Sequence, residues 1–194
     1  LQNPELIWSK PFRALDTKSQ HLLISIFFSP EFGESIDNTR TNFSDLHRSI
    51  SAHYGQPTTP TDFEDALSSL ESGFLSISGS NVSFVNPSLR DFLKSFLNDK
   101  DFLLLLPGTA RRAGWAKGLW RHIRGVFETH PEFLKQVAAT FSGYLDRIDA
   151  TPSIIKSNKN GYWRWSPDDI ALTARVELLL EWWAASEQDL FIYK

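Results

Sequence analysis

The sequence predicts a mainly α-helical chain with one small β-hairpin: a winged helix-turn-helix domain over residues 1–100 with a lead-in helix, then an all-α helical region over 108–194. Three observations predict it. Apolar residues recur at three- and four-residue intervals along most of the chain. One stretch, residues 74–85, abandons that period for alternation of apolar and polar side chains. The chain then changes character between Asp99 and Gly108, where a second unit is expected to begin. The 194 residues suffice for two small domains, and 41% hydrophobic against 22% charged residues supply cores without the charge excess of a disordered chain.

Each element has its own signal. Pro4 suits a first helical turn, and Trp8, Phe12 and Leu15 share helical spacing. Asp16 can cap a helix carrying Leu22, Leu23, Ile26 and Phe27, stopped by Ser29-Pro30. A polar loop follows, then a short amphipathic helix with Phe43, Leu46, Ile50 and Tyr54 that ends at Gly55. Thr59 or Thr61 opens a third helix, with Phe63, Ala66, Leu67 and Leu70 on one face before Gly73. Leu75, Ile77, Val82 and Phe84 alternate with serines around Gly79-Ser80-Asn81, which reads as a hairpin. Asn86-Pro87 then starts a helix lined by Leu89, Phe92, Leu93, Phe96 and Leu97. Three helices followed by a hairpin is the order of a winged helix-turn-helix.

Beyond Gly108 the reading is helical throughout. Ala116, Leu119, Trp120, Ile123 and Phe127 form one stripe, and Phe133, Leu134, Val137, Phe141 and Leu145 form another. Residues 151–165, rich in Ser, Asn, Lys and Gly, are expected to be a connecting loop anchored by Trp163 and Trp165. Ser166-Pro167-Asp168-Asp169 is expected to start the last helix. So few helices show no repeat, but the start of a helical-pair array would have this form.

Composition excludes several function classes. The absence of cysteine removes disulfides, thiolate catalysis and zinc–thiolate sites, and fits a reducing cytoplasmic setting. A net charge of −3 gives no global pull towards nucleic acid or acidic lipid. No run approaches the roughly 20 apolar residues that cross a bilayer. A start at Leu1, the lack of methionine and the lack of a secretory pattern read as an excised piece of a larger protein. No phosphate-cradling Gly-Lys-Ser/Thr loop and no Gly-x-Ser-x-Gly turn occurs, and the five histidines lack metal-ligand spacing. No catalytic residue and no metal ligand is therefore expected, and no cofactor is assigned to this segment.

Two places carry charge worth weighing. Arg111, Arg112, Lys117, Arg121 and Arg124 are expected on a single helix with Trp115 and Trp120, and no acid appears before Glu128. The plain reading is a solvated face whose long basic stems cover apolar neighbours. The functional reading is contact with nucleic acid, an acidic protein surface or another domain. Asp62, Glu64 and Asp65 sit in the first turns of the third helix, where they favour the helix dipole. They also oppose phosphate approach by the helix that a DNA-reading winged helix would insert, and Arg40 and Arg48 are too few to compensate.

The string Val82-Ser83-Phe84-Val85-Asn86-Pro87-Ser88-Leu89-Arg90-Asp91-Phe92-Leu93 resembles the end of the winged-helix domain in bacterial STAND NTPases, multidomain signal-transduction ATPases. Leu6-Ile7-Trp8 with Phe12, and then residues 20–28, are similar to the opening of that region in the novel STAND group. The resemblance covers about the first half of the chain. It implies a preceding nucleotide-binding domain that holds ATP or ADP with Mg, a following sensor domain, homo-oligomerisation on activation, and a setting in antiviral or stress defence. It places Asn86 where relatives carry the histidine of a Met-His-Asp motif that contacts nucleotide phosphates. An asparagine can donate a hydrogen bond there but carries no charge. Arg90, beside Asp91, is the next candidate for nucleotide or interdomain contact. The alternatives are a DNA-binding winged-helix regulator and a protein-interaction scaffold.

Overall fold

The computed structural model describes residues 3–71, 73–148, 154–159, 162–167 and 169–193. The chain divides into two compact units, Leu1–Thr109 and Ala110–Lys194. Among the described residues, no helix is long and apolar enough to cross a membrane.

In the first unit, α1 (Pro4–Ala14) is followed by α2 (Thr17–Phe28), capped by Asp16, whose carboxylate accepts from the Ser19 N–H. Leu22, Leu23, Ile26 and Phe28 are essentially inaccessible, so α2 is the central rod of the unit. A two-residue strand β1 (Glu34–Ser35) leads directly into α3 (Ile36–His53), and α4 (Asp62–Leu70) follows. The strands β2 (Leu75–Ser78) and β3 (Asn81–Phe84) form the expected hairpin, with Ile77 opposite Val82. Gly79 opens its two-residue loop at φ 61, the sign that the tight hairpin turns require at their first central position. The helices α5 (Pro87–Phe96) and α6 (Lys100–Leu105), with a 3-10 turn at Pro107–Thr109, complete the unit. Phe12 of α1 packs edge-on against Phe92 and Phe96 of α5, with centroids 5.5 and 4.9 Å away. The Trp8 indole N–H donates to Ser88 Oγ at 2.8 Å, which fastens the lead-in helix at a second point.

Two expectations for this unit need correction. The second core helix is not short: α3 has 18 residues and starts inside the stretch expected to be a polar loop. Its first two turns bury Thr39 and Asn42 where an apolar stripe would place hydrophobes, so the pattern was hidden. The sheet also has three strands, in the order β1-β3-β2, because Glu34 pairs with Val82 and Ser35 with Asn81. A two-residue strand is too short to show alternation.

In the second unit, α7 (Ala113–Val126) and α8 (Pro131–Thr140) are followed by a 3-10 turn, Phe141–Tyr144, and by α9 (Leu145–Ile148). The strands β4 (Ile154–Lys159) and β5 (Tyr162–Pro167) then pair antiparallel, before α10 (Leu172–Ser186) and a final 3-10 turn, Asp189–Phe191. This hairpin overturns the all-α expectation for 108–194 and the connecting loop at 151–165. The runs Ile154-Ile155 and Tyr162-Trp163-Arg164-Trp165 are β-branched and aromatic, and flank Asn160-Gly161 in the sequence. That preference outweighs the polar composition that read as loop. The helix start also moves, because Ser166 and Pro167 belong to β5 and α10 begins at Leu172, while Asp168 lies outside the described residues. Trp182 of α10 is fully buried and stacks on Phe141, with centroids 4.3 Å apart and planes at 11°, and Phe191 closes on it at 5.7 Å. Truncating such a residue to alanine costs about 3–5 kcal/mol.

Candidate functional site

The strand-to-helix junction that carries the family resemblance is built from local rules. Asn86 has extended backbone and caps α5, its Oδ1 accepting from the Ser88 N–H at 2.9 Å. Its side chain lies at the surface, as does that of Asp91. Arg90 lies differently. Its Nη1 donates to the Phe27 carbonyl at 2.7 Å, at the C-terminal end of α2. The guanidinium also lies 5.6 and 5.4 Å from the ring centroids of Phe27 and Phe84. Burial pulls Arg90 below the usual arginine value, and Glu31 opposes that shift. Arg90 thus ties α5 to the end of α2 and to the wing, which gives its cation work inside the unit. Asn86 and Asp91 are the members of the expected set that face outward.

The exposed face of α4 is acidic, and its neighbours answer it. Glu64 pairs with Arg40 of α3, whose guanidinium also sits 4.4 Å over the Phe63 ring. Asp65 pairs with Lys18 at 2.8 Å, and Arg48 lies 3.5 Å from Asp45. Both arginines considered for DNA contact therefore lean on carboxylates of their own unit.

Asp62 does something the sequence reading missed. It is buried, and its carboxylate accepts from the Thr59 N–H at 2.6 Å, from the Thr59 hydroxyl at 2.9 Å and from His47 Nε2 at 3.1 Å. Burial alone would raise its pKa, but the Thr59 and His47 bonds outweigh that and hold it down at about 2. The other face of His47 meets His21, with the two Nδ1 atoms 2.8 Å apart. Burial, reinforced by His47, pulls His21 down to about 4. These residues sit on α2, α3 and α4 at separations of 26 and 15 positions, so no spacing pattern could reveal them. They form a hydrogen-bonded chain rather than a convergent ligand set. Among the described residues, no group of three or more His, Asp or Glu is placed to hold a metal ion.

Three of the five basic residues, Lys117, Arg121 and Arg124, line one concavity along α7, and the other two lie outside that helix. Arg111 and Arg112 precede α7, and Arg112 is buried. Lys117 stands 3.9 Å from Glu177, and Arg124 donates to Glu181 at 2.7 Å. Arg121 is exposed. The correction has a tertiary cause: α10 brings two carboxylates to a helix that is free of acids in its own sequence. Glu181 also accepts from the Trp120 indole N–H at 2.8 Å, so that ring is fastened rather than offered for stacking. Asp169, expected to start the last helix, instead caps α7. Its carboxylate accepts from the N–H groups of Ala113 and Gly114, both at 2.8 Å, with Arg175 Nη2 3.8 Å away.

Comparison with known protein families, curated proteins and solved structures returns no match.

Proposed function

We propose that this chain is a non-catalytic regulatory segment of a larger cytoplasmic, nucleotide-dependent switch protein of the STAND class. In this reading residues 1–109 are a winged-helix module that packs on a nucleotide-binding domain of the same parent chain. The second unit leads towards a sensor domain. ATP or ADP with Mg would be held by that other domain, and this segment would pass a conformational change to it and allow homo-oligomerisation, in antiviral or stress defence. The order α2-β1-α3-α4-β2-β3, with β1 paired to β3, supports a winged helix. Arg90 supports the lever role, because one guanidinium ties the wing, α2 and α5 into a body that moves as a whole.

The observation that carries the reading away from DNA is the face of α4. Its exposed residues are Glu64, Asp65, Ser68 and Ser69, followed by Glu71, without a lysine or arginine among them. A duplex presents one negative charge per roughly 1.7 Å of axis, and Arg40 and Lys18 are spent on Glu64 and Asp65, which leaves this face no surplus positive charge to draw it. Outward-facing Asn86 and Asp91 beside the wing offer a neutral and an acidic group for a partner domain instead.

Fluorescence anisotropy with labelled duplex DNA tests the reading. The expected result at physiological salt is no binding beyond the weak non-specific level of roughly 10⁻⁴ M. Tight binding that weakens steeply with salt would replace the lever with a DNA reader.

A further inference from the structure

Exposed apolar side chains gather in one part of the chain. Of the twelve large ones among the described residues, seven lie between Leu172 and Tyr193. Single exposed hydrophobes are ordinary on a protein surface, whereas a contiguous row marks a contact site. On α10 the row is Leu172, Val176, Leu180 and Trp183, exposed by 64, 48, 48 and 39%. Their spacing of four, four and three residues sets them along one side of the helix. The side turned to the core carries Leu178 and Trp182, both buried. A helix that is apolar on both sides belongs between two packed layers.

Two features prepare this row for contact. The Trp183 indole N–H donates to Asp189 Oδ1 at 3.3 Å, which holds the largest ring of the row in place. An aromatic side chain fixed in advance loses little freedom on binding. The charges beside the row are also answered within the unit. Glu177 and Glu181 of α10, and Glu187 at its C-terminal end, meet Lys117 at 3.9 Å, Arg124 at 2.7 Å and Lys135 at 2.7 Å. Two such faces can therefore approach without a bank of uncompensated like charges between them. A neutral border favours neither a basic nor an acidic partner, but it admits its own copy.

We propose that the outer face of α10 docks a second copy of this chain through the same face, the two helices meeting across a twofold axis. Such a contact is self-complementary, with the apolar row of each copy, Trp183 included, packed on that of the other. The 15 residues of α10 make a helix about 22 Å long and roughly 10–12 Å across. A pair of such faces buries on the order of 1,000 Å² in total, the low end for a specific association. The dimer is accordingly weak and reversible, with a Kd on the order of 100 µM. It needs neither a parent domain nor a nucleotide, so it stands or falls separately from the switch reading above.

Sedimentation velocity on the full chain, at concentrations spanning that Kd, tests the proposal. The expected result is a sedimentation coefficient that rises with concentration from the monomer value towards the dimer value. Leu180→Lys and Val176→Lys, both at exposed positions, should each weaken self-association at least about tenfold while leaving the thermal melt unchanged. Leu6→Lys, at a more exposed apolar position on α1, should leave self-association as it was, which separates docking from general stickiness. The chain has no cysteine, so Leu180→Cys puts a lone thiol within the row. A short bismaleimide linker should capture that variant as a dimer, and should capture Leu6→Cys several times less. If Leu180→Lys fails to fold, Val176→Lys and the cross-linking pair still decide. A chain that stays monomeric throughout, leaving the face to some other protein, or a dimer that the lysine variants do not weaken, overturns the proposal.

Discussion

His21 and His47 occupy the interior of a three-helix core, where two imidazoles 2.8 Å apart cannot both hold a second proton. The folded chain therefore keeps His21 neutral down to about pH 4, whereas an unfolded chain protonates it near 6.5. The unfolded state binds more protons throughout that window, so stability should fall as pH drops from 6.5 towards 4, by about 3 kcal/mol in all. Asp62 acts in a lower window: its contribution is present above 3.8 and is lost as pH falls towards about 2. Urea unfolding midpoints measured at intervals from pH 7 to pH 4 check this. A flat profile over that range would show that His21 is not held as described. None of these three residues was legible as a site, because contact between positions 21, 47 and 62 exists only after α2, α3 and α4 have packed.

At the scale of elements, local rules and long-range contacts divide the work. Asn86, Asp16 and Asp99 cap the helices that directly follow them, and such caps are readable because donor and acceptor lie two or three residues apart. Asp169 breaks that logic by capping α7 from 55 residues downstream. A Cβ on Gly114 would stand 3.0 Å from its Oδ1, so the helix start is shaped to admit the carboxylate. Asp169→Ala should destabilise the chain by about 3–5 kcal/mol, since it frees the N–H groups of Ala113, Gly114 and Ile170 and removes the carboxylate 3.8 Å from buried Arg175. Asp169→Asn should cost less, since its amide oxygen still accepts. Chemical denaturation of the two variants and the parent chain measures both effects, and equal stability of all three would remove Asp169 from the architecture.

At the scale of the molecule, the division at Thr109 assigns α6 and the turn at Pro107–Thr109 to the first unit. That unit has a core of its own, centred on α2, with Phe12, Leu46, Leu70, Leu75 and Leu93 all inaccessible. A polypeptide of residues 1–109 should fold alone, with helical circular dichroism and a single cooperative melt. A chain that stays disordered or melts without cooperativity would show that the core needs the second unit.

The sequence by itself determined the elements whose information is local. Periodic apolar stripes yielded α1, α2, α4, α5, α7 and α8; alternation around Gly79 yielded the wing; short-range caps yielded several helix starts. It did not determine where charges end up. The basic residues around α7 read as one patch until α10 placed Glu177 and Glu181 against them, and Arg90 read as an outward contact until the Phe27 carbonyl claimed it. Only the tertiary structure decided these, for a physical reason. A side chain's period is set by its own helix or strand, whereas its partner is set by whichever distant segment the packed core brings within about 3 Å, the range where a hydrogen bond or ion pair acts.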